Sequence, residues 1–329
     1  MTNLIQQALF ILGIALFFGF VILTLVKYLR APRPKALPVR GWVGLGIILG
    51  AEVMLWAEVE PIATFFTATA WTGYLFLVDG MVEALTGSSR MTRDLKGFLA
   101  LAFWSIPLWL VFEAYNLRLG TWVYLGLPPE PEIQAIGYAW AFATIWPAIF
   151  LSADLVRALG WVSETSRKEF KISPKNQIRL AVLGLIMVIV PVLVPASAGT
   201  YLFGSVWIGF ILLLDPINHW AGQRSFLGQL AVGKTGEFWG YLLGGTICGL
   251  LWEFWNYWAG AQWHYIFPIG QDFKIFEMPA LGYLGFGPFA IECFVMYEFL
   301  RTVRKQFQRR TSETDRGWIK GTPTTEQAS

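Results

Sequence analysis

Nine apolar stretches, each long enough to cross the roughly 30 Å hydrocarbon core of a bilayer, constrain this chain before anything else does. They run over residues 5–26, 42–58, 62–84, 98–115, 136–156, 180–196, 200–220, 238–258 and 280–300. Inside hydrocarbon no water satisfies backbone amides and carbonyls, so such stretches must become helices. The expected fold is an all-α polytopic membrane protein with about nine transmembrane helices. A chain that is 55% hydrophobic and 14% charged, with a mean hydropathy of +0.52, lies outside ordinary soluble domains.

Charge in the connecting loops alternates. Lys27, Arg30, Arg33, Lys35 and Arg40 occupy the first loop, Arg90, Arg93 and Lys96 the third, and Arg157, Arg167, Lys168, Lys171, Lys175 and Arg179 the fifth. Arg224 and Lys234 follow in the seventh, and Arg301, Arg304, Lys305, Arg309 and Arg310 follow the last stretch, whereas the even loops carry Arg118 and Lys274. By the positive-inside rule this predicts an external N-terminus and a cytoplasmic C-terminus, in a bacterial inner membrane. The first stretch lacks a basic n-region and is long enough to span, so it reads as an anchor rather than a cleaved signal. The net charge of +3 belongs to these loops, and nucleic acid is not an expected partner.

The chain also repeats itself. Trp71, Gly73, Leu77 and Asp79 align with Trp207, Gly209, Leu213 and Asp215; Glu113, Asn116 and Gly120 align with Glu253, Asn256 and Gly260. After one inserted residue Trp122 and Tyr124 meet Trp263 and Tyr265, and Gly137-Tyr138 meets Gly282-Tyr283. The predicted organisation is a leading helix and basic loop (1–40), a four-helix repeat (41–160), a basic linker (161–179), a second four-helix repeat (180–305) and a disordered tail (306–329). An even number of helices per copy makes the repeats parallel, with a pseudo-two-fold axis along the membrane normal and a cavity expected at their interface.

Ionisable groups in a bilayer cost at least ~2.5 kcal/mol on insertion scales, so they face a cavity or a partner. Glu113, Glu253, Asp79, Asp215 and Glu292 are the candidate catalytic acids, and Glu52 is a further deep carboxyl. Asp79 has Glu83 one turn on, and Asp215 has His219, either of which could support acid-base chemistry. Trp252, Trp255, Asn256, Tyr257, Asn116 and His219 are candidate substrate contacts. Each has a structural use as well: Glu and Asn at helix ends bond backbone and indole N–H groups, and Asp79 and Asp215 can pair with Arg90 and Arg224. Cys248 and Cys293 read as small core side chains.

Only two histidines exist, with no metal spacing, and there is no Walker loop, Gly-x-Ser-x-Gly elbow or dinucleotide fingerprint. No metal or cofactor is expected. Buried carboxyls among seventeen Trp suit protonation of an alkene and stabilisation of the resulting cation by ring faces. The expected partner is then an apolar lipid. A proton-coupled transporter would use the same groups, and a non-catalytic scaffold is the third alternative.

Trp252-Glu253, then Gly260-Ala261-Gln262-Trp263, then Tyr297-Glu298-Phe299-Leu300-Arg301 resemble successive elements of the membrane lycopene cyclases of the heterodimeric bacterial and fused fungal type. The resemblance covers about 60 residues per copy. It implies the repeated architecture and an isoprenoid substrate, carotenoid or hopanoid-type, for cyclisation or isomerisation. Where that family carries Pro-x-Glu-Glu this chain has Pro279-Ala280-Leu281-Gly282, and Ala135-Ile136-Gly137-Tyr138 in the first copy.

Overall fold

A computed structural model describes residues 2–166 and 168–320, with side chains described over 4–166 and 168–306. Its helices, in chain order, are α1 (Thr2–Arg30), α2 (Val39–Trp56), α3 (Phe66–Thr86), α4 (Arg90–Arg93), α5 (Leu95–Leu119), α6 (Pro131–Ala158), α7 (Pro174–Leu193), α8 (Ala196–Trp220), α9 (Phe226–Leu230), α10 (Gly236–Trp258) and α11 (Tyr283–Lys320). Seven of these, α1, α2, α5, α6, α7, α8 and α11, are long and apolar enough to cross a membrane. The molecule is a predominantly helical, polytopic membrane protein.

The helices α3 and α10 are long but less apolar. They are also heavily enclosed, with fifteen of 21 residues of α3 and thirteen of 23 of α10 buried. A helix walled in by other helices meets little lipid and can carry Thr, Gly, Asp and Glu without exposing them to hydrocarbon.

The same local packing occurs twice. Gly44 of α2 lies against the backbone of Gly73 and Leu77 on α3, and Gly184 of α7 lies against the backbone of Gly209 and Leu213 on α8. A Cβ at either glycine would strike main chain, so small residues are what let these helix pairs close. In turn α3 packs on α6 and α8 on α11, while α5 lies on α6 and α10 on α11. Contact between the two sets runs chiefly through α6 and α10.

Loops alternate between two ends of the molecule. The loops of the basic end carry α4 and α9, each begun by a serine cap: Ser89 accepts from Thr92 N, and Ser225 from Gly228 N. The opposite end carries two short antiparallel pairs that an all-α expectation lacked. Strand β1 (Trp122–Leu125) pairs with β2 (Gln262–Tyr265), and β3 (Lys274–Ile275) with β4 (Met278–Pro279). Their Val, Ile, Trp and Tyr content favours strand, and cross-pairing satisfies backbone groups that the helix ends leave free.

The tail departs from expectation as well. Residues 306–320 of the expected tail continue α11, because adding residues to an existing helix avoids the cost of nucleation. The part of the expected tail over 321–329 lies outside the described residues.

Candidate functional site

Between α3, α5 and α6 on one side and α8, α10 and α11 on the other lies a cavity of about 500 Å³. Strands β1 and β2 close its end. Four indoles, Trp71, Trp109, Trp207 and Trp252, and the rings of Phe112, Phe142 and Phe289 form its flanks. Phe289 is central among them, with ring centroids 5.6 Å from Phe112, 5.9 Å from Trp109, 6.2 Å from Trp252 and 6.4 Å from Trp207. Tyr201, Leu281 and Leu284, at 57%, 70% and 75% exposure, belong to the wall and to the outer surface at once, so the cavity reaches the lipid-facing side between α8 and the start of α11.

The closing strands are held in a repeated manner. Asn116 Nδ2 donates to Trp122 O at 3.0 Å and its Oδ1 accepts from Thr121 N at 2.8 Å and Trp122 N at 3.0 Å. Asn256 Nδ2 donates to Trp263 O at 2.8 Å and its Oδ1 accepts from Trp263 N at 2.9 Å. The strand register sets Trp122 opposite Tyr265 and Tyr124 opposite Trp263, and all four residues line the cavity. Nearby Gly126 has φ +68°, and its Cα faces the Gly260 carbonyl with no room for a side chain.

The two tyrosines connect the cavity to buried acids. Tyr124 Oη donates to Glu113 Oε1 at 2.6 Å, and Trp109 Nε1 donates to the same oxygen at 2.9 Å. Tyr265 Oη donates to Glu253 Oε1 at 2.8 Å and accepts from Trp263 Nε1 at 2.9 Å. Glu253 is fully buried, and its Oε2 has no hydrogen-bond partner among the described residues. Burial first, and the neighbouring carboxyl second, push the phenols of Tyr124 and Tyr265 well above the ordinary tyrosine range, so both stay protonated as hydrogen-bond donors.

The acids named from sequence therefore stand behind the wall rather than in it. Glu292 follows the lining residue Phe289 by three positions, on the same helical face one turn toward the basic end. It is fully buried, and neither carboxyl oxygen finds a partner among the described residues. Asp79 and Asp215 lie at the basic end, far from the strands. Asp79 accepts from Arg40 Nε at 2.9 Å, Ser89 Oγ at 2.7 Å and Met91 N at 3.1 Å, and Arg40 also binds Glu83. Asp215 accepts from Phe226 N and Leu227 N, both at 2.8 Å.

The pairing expected of these aspartates is corrected accordingly. Arg90 bonds Asp154 at 2.6 and 3.0 Å, and Arg224 binds Glu237 and Glu298. Both aspartates are turned toward the caps of α4 and α9, and a buried carboxylate is satisfied there by amides from the short helices. They position those helices, and neither lines the aromatic cavity.

Of the six binding candidates, Trp252 lines the cavity. Trp255 packs edge-on against Trp71 at 5.0 Å and donates to Glu52 Oε1 at 3.1 Å, and Tyr257 packs on Phe10 and Phe276. Asn116 and Asn256 fasten the strands. His219, half-buried at the basic end, has Nδ1 3.4 Å from Ser225 Oγ. The residues that sequence reasoning did not nominate are Tyr124, Tyr265, Trp122 and Trp263; their recurrence in the two aligned stretches of sequence was the available signal. Cys248 and Cys293 are buried and free. Among the described residues no cluster of His, Cys, Asp and Glu is suited to a metal ion.

Compared with known families, characterised proteins and solved structures, the chain matches none.

Proposed function

We propose that this protein is a membrane-embedded enzyme that binds a large apolar isoprenoid lipid, carotenoid or hopanoid-type, and cyclises or isomerises it by acid-base chemistry. The observation that carries the reading is the aromatic cavity with a tyrosine–glutamate pair behind each of its two strands. Ring faces attract a cation by their quadrupoles, and an apolar wall excludes the water that would quench it. In the proposed reaction one Tyr–Glu pair delivers a proton to an alkene carbon. The cation rearranges or closes a ring using its own π electrons, and a neighbouring C–H loses its proton to the other pair. No atom is gained or lost. The phenol relays the proton and the carboxyl stores it: at the delivering wall a protonated carboxyl donates to the phenol as the phenol gives up its own proton, and at the receiving wall the phenol passes its proton to a carboxylate as it takes one, with Glu253 behind Tyr265 and Glu113 behind Tyr124.

We further infer that α1 is followed by two parallel four-helix units, α2, α3, α5 and α6, then α7, α8, α10 and α11. The supporting observations are the matched Gly44–Gly73 and Gly184–Gly209 contacts and the reciprocal strand register. On this reading α3 and α10 also cross the membrane, for nine spans, with the basic end in the cytoplasm of a bacterial inner membrane. Reporter fusions after Arg40, Leu127 and Arg310 should read cytoplasmic, external and cytoplasmic; an external reading after Arg310 overturns the count.

The function is tested by expression in a host that makes carotenoids, hopanoids and polyprenyl lipids, with mass spectrometry of extracted and co-purified lipid. A cyclised or isomerised product that disappears in Tyr265→Phe and Glu253→Gln supports the reading. A lipid that co-purifies unaltered and moves between membranes favours a carrier and removes the chemistry. Absence of any bound or altered apolar lipid overturns both.

A further inference from the structure

At the basic end, away from the aromatic cavity, a second pocket of about 590 Å³ opens between α4, the start of α5 and the far part of α11. Six cations surround it: Arg90, Arg93, Lys96, Arg301, Arg304 and Lys305. Asp94 is the acid in its wall, and that carboxylate is engaged by Gly97 N at 2.8 Å as a helix cap. Asp154 holds Arg90 from behind, and Glu298 holds Arg301 at 2.9 and 3.2 Å. Six cations against these three carboxylates leave an excess of three positive charges. Among the described residues no carboxylate lies within ion-pair distance of Arg93, Lys96, Arg304 or Lys305. Like charges gathered this closely repel one another, so the arrangement calls for an anion.

The floor of the pocket is not polar. Phe98 and Leu101 are buried in it, and the ring of Tyr297 lies alongside. Beside the mouth, Leu95 and Leu99 project from α5 with 54% and 59% exposure, as side chains facing hydrocarbon do. A soluble anion would use the cations and leave this apolar rim without a role. A phospholipid uses both, with its phosphate among the arginines and lysines and its chains along α5.

We propose that this pocket binds the headgroup phosphate of an anionic membrane phospholipid. Cationic side chains at the level of the headgroups, next to a lipid-facing helix, supply a charge-selective grip whose strength grows with each Lys or Arg. The site is independent of the isoprenoid cavity.

The test uses the purified full-length chain and native mass spectrometry, with phosphatidylglycerol and phosphatidylcholine of identical acyl chains. Phosphatidylglycerol is expected to be retained at least about tenfold more tightly, and the preference should shrink as salt rises. The triple variant Arg93→Gln, Lys96→Gln, Arg304→Gln should lose that preference, and Arg93→Lys, Lys96→Arg, Arg304→Lys should keep most of it. Unchanged elution and tryptophan fluorescence establish that each variant is folded. Equal retention of the two lipids, or full retention of phosphatidylglycerol by the folded Gln variant, overturns the proposal. Displacement of phosphatidylglycerol by millimolar inorganic phosphate also overturns it, because the ligand would then be a soluble anion.

Discussion

Replacing Glu292 with Leu is the perturbation whose sign follows most directly from the structure. The side chain is fully buried, and both carboxyl oxygens lack a hydrogen-bond partner among the described residues. A buried polar group without a partner costs about 1–3 kcal/mol relative to one that is satisfied. Leucine is of similar size and has nothing to satisfy, so the substitution removes the cost while leaving little cavity or overlap. Glu292→Leu is therefore expected to stabilise the folded state by about 1–3 kcal/mol. For a chain of this size that corresponds to an upward shift in melting temperature of roughly 1.5–4.5 °C. Glu292→Gln keeps the polarity and the burial, and should gain little or nothing. The assay is thermal unfolding of the purified protein in one detergent, followed by intrinsic tryptophan fluorescence, with parent and both variants scanned at the same rate. A Leu variant that melts below the parent by several degrees would refute the reasoning, because the carboxyl must then be bonded to something that the protein retains. A stabilised Leu variant that loses lipid conversion would instead assign Glu292 a functional use maintained against stability.

Asn116→Ala and Asn256→Ala each remove a side chain that bonds a strand backbone at both its carbonyl and its amide. Each is expected to destabilise by about 2–3 kcal/mol and to weaken ligand binding in the cavity, as read by melting temperature and by quenching of tryptophan with a bound polyene. Arg40→Gln leaves Asp79 without its ion-pair partner and should cost about 3–5 kcal/mol, while binding in the aromatic cavity of the surviving folded protein stays at the parent level. A parent-like melting temperature would contradict that role. From the last turn of α6, the Arg157 guanidinium holds the carboxyl of Glu164 in the following loop below its ordinary range. A folded-state pKa below the unfolded value gives stability that is present above the unfolded value and lost as pH falls through the folded one. Glu164→Gln should therefore lower the melting temperature slightly at pH 7, and the difference from the parent should fade as acid takes the pH down through the depressed folded-state value. A difference that persists unchanged in acid would show that the ion pair is not its source.

How much of this was legible in the sequence depends on which physical quantity fixes each feature. Span positions follow from the length and apolarity of the segments, and the long helices fall close to them. Helix rotation does not follow, because a helix that is apolar all round has no strong moment to say which face turns inward. Glu113 and Glu253 were recognisable as acids that need partners. That their partners are Tyr124 and Tyr265, some eleven and twelve residues on in a separate strand, depends on a chain reversal that local periodicity does not encode. Arg40 shows the same limit: it reads as a topological charge among other loop cations, yet it reaches from the start of α2 to both Asp79 and Glu83. Asp79 and Asp215 looked like a pair of equivalent acids. They are equivalent in capping the α4 and α9 turns, but among the described residues only Asp79 has an arginine.

Divergence between the matching positions bears on where chemistry can reside. At the strand end the pairs Glu113–Tyr124 and Glu253–Tyr265 match, as do the Asn116 and Asn256 clamps, and their hydroxyl-bearing rings face one shared cavity. At the basic end the matching positions hold different groups, with Glu83 in one half and His219 in the other. An arrangement needed only to hold helices together can drift in this way so long as each carboxylate finds donors, which Arg40 provides on one side and the amides of α9 on the other. The tyrosine hydroxyls have no such substitute, because a phenylalanine at Tyr265 would leave Glu253 without a donor among the described residues, one at Tyr124 would leave Glu113 with Trp109 alone, and either would take a hydroxyl from the cavity. On the proposed reading, a ligand spanning the cavity would meet a phenol at each wall, and a proton released at one would have a receiver of the same kind at the other. Conversion should accordingly fail when either tyrosine is replaced, and replacing both should be scarcely worse than replacing one, since a donor without an acceptor cannot complete the cycle.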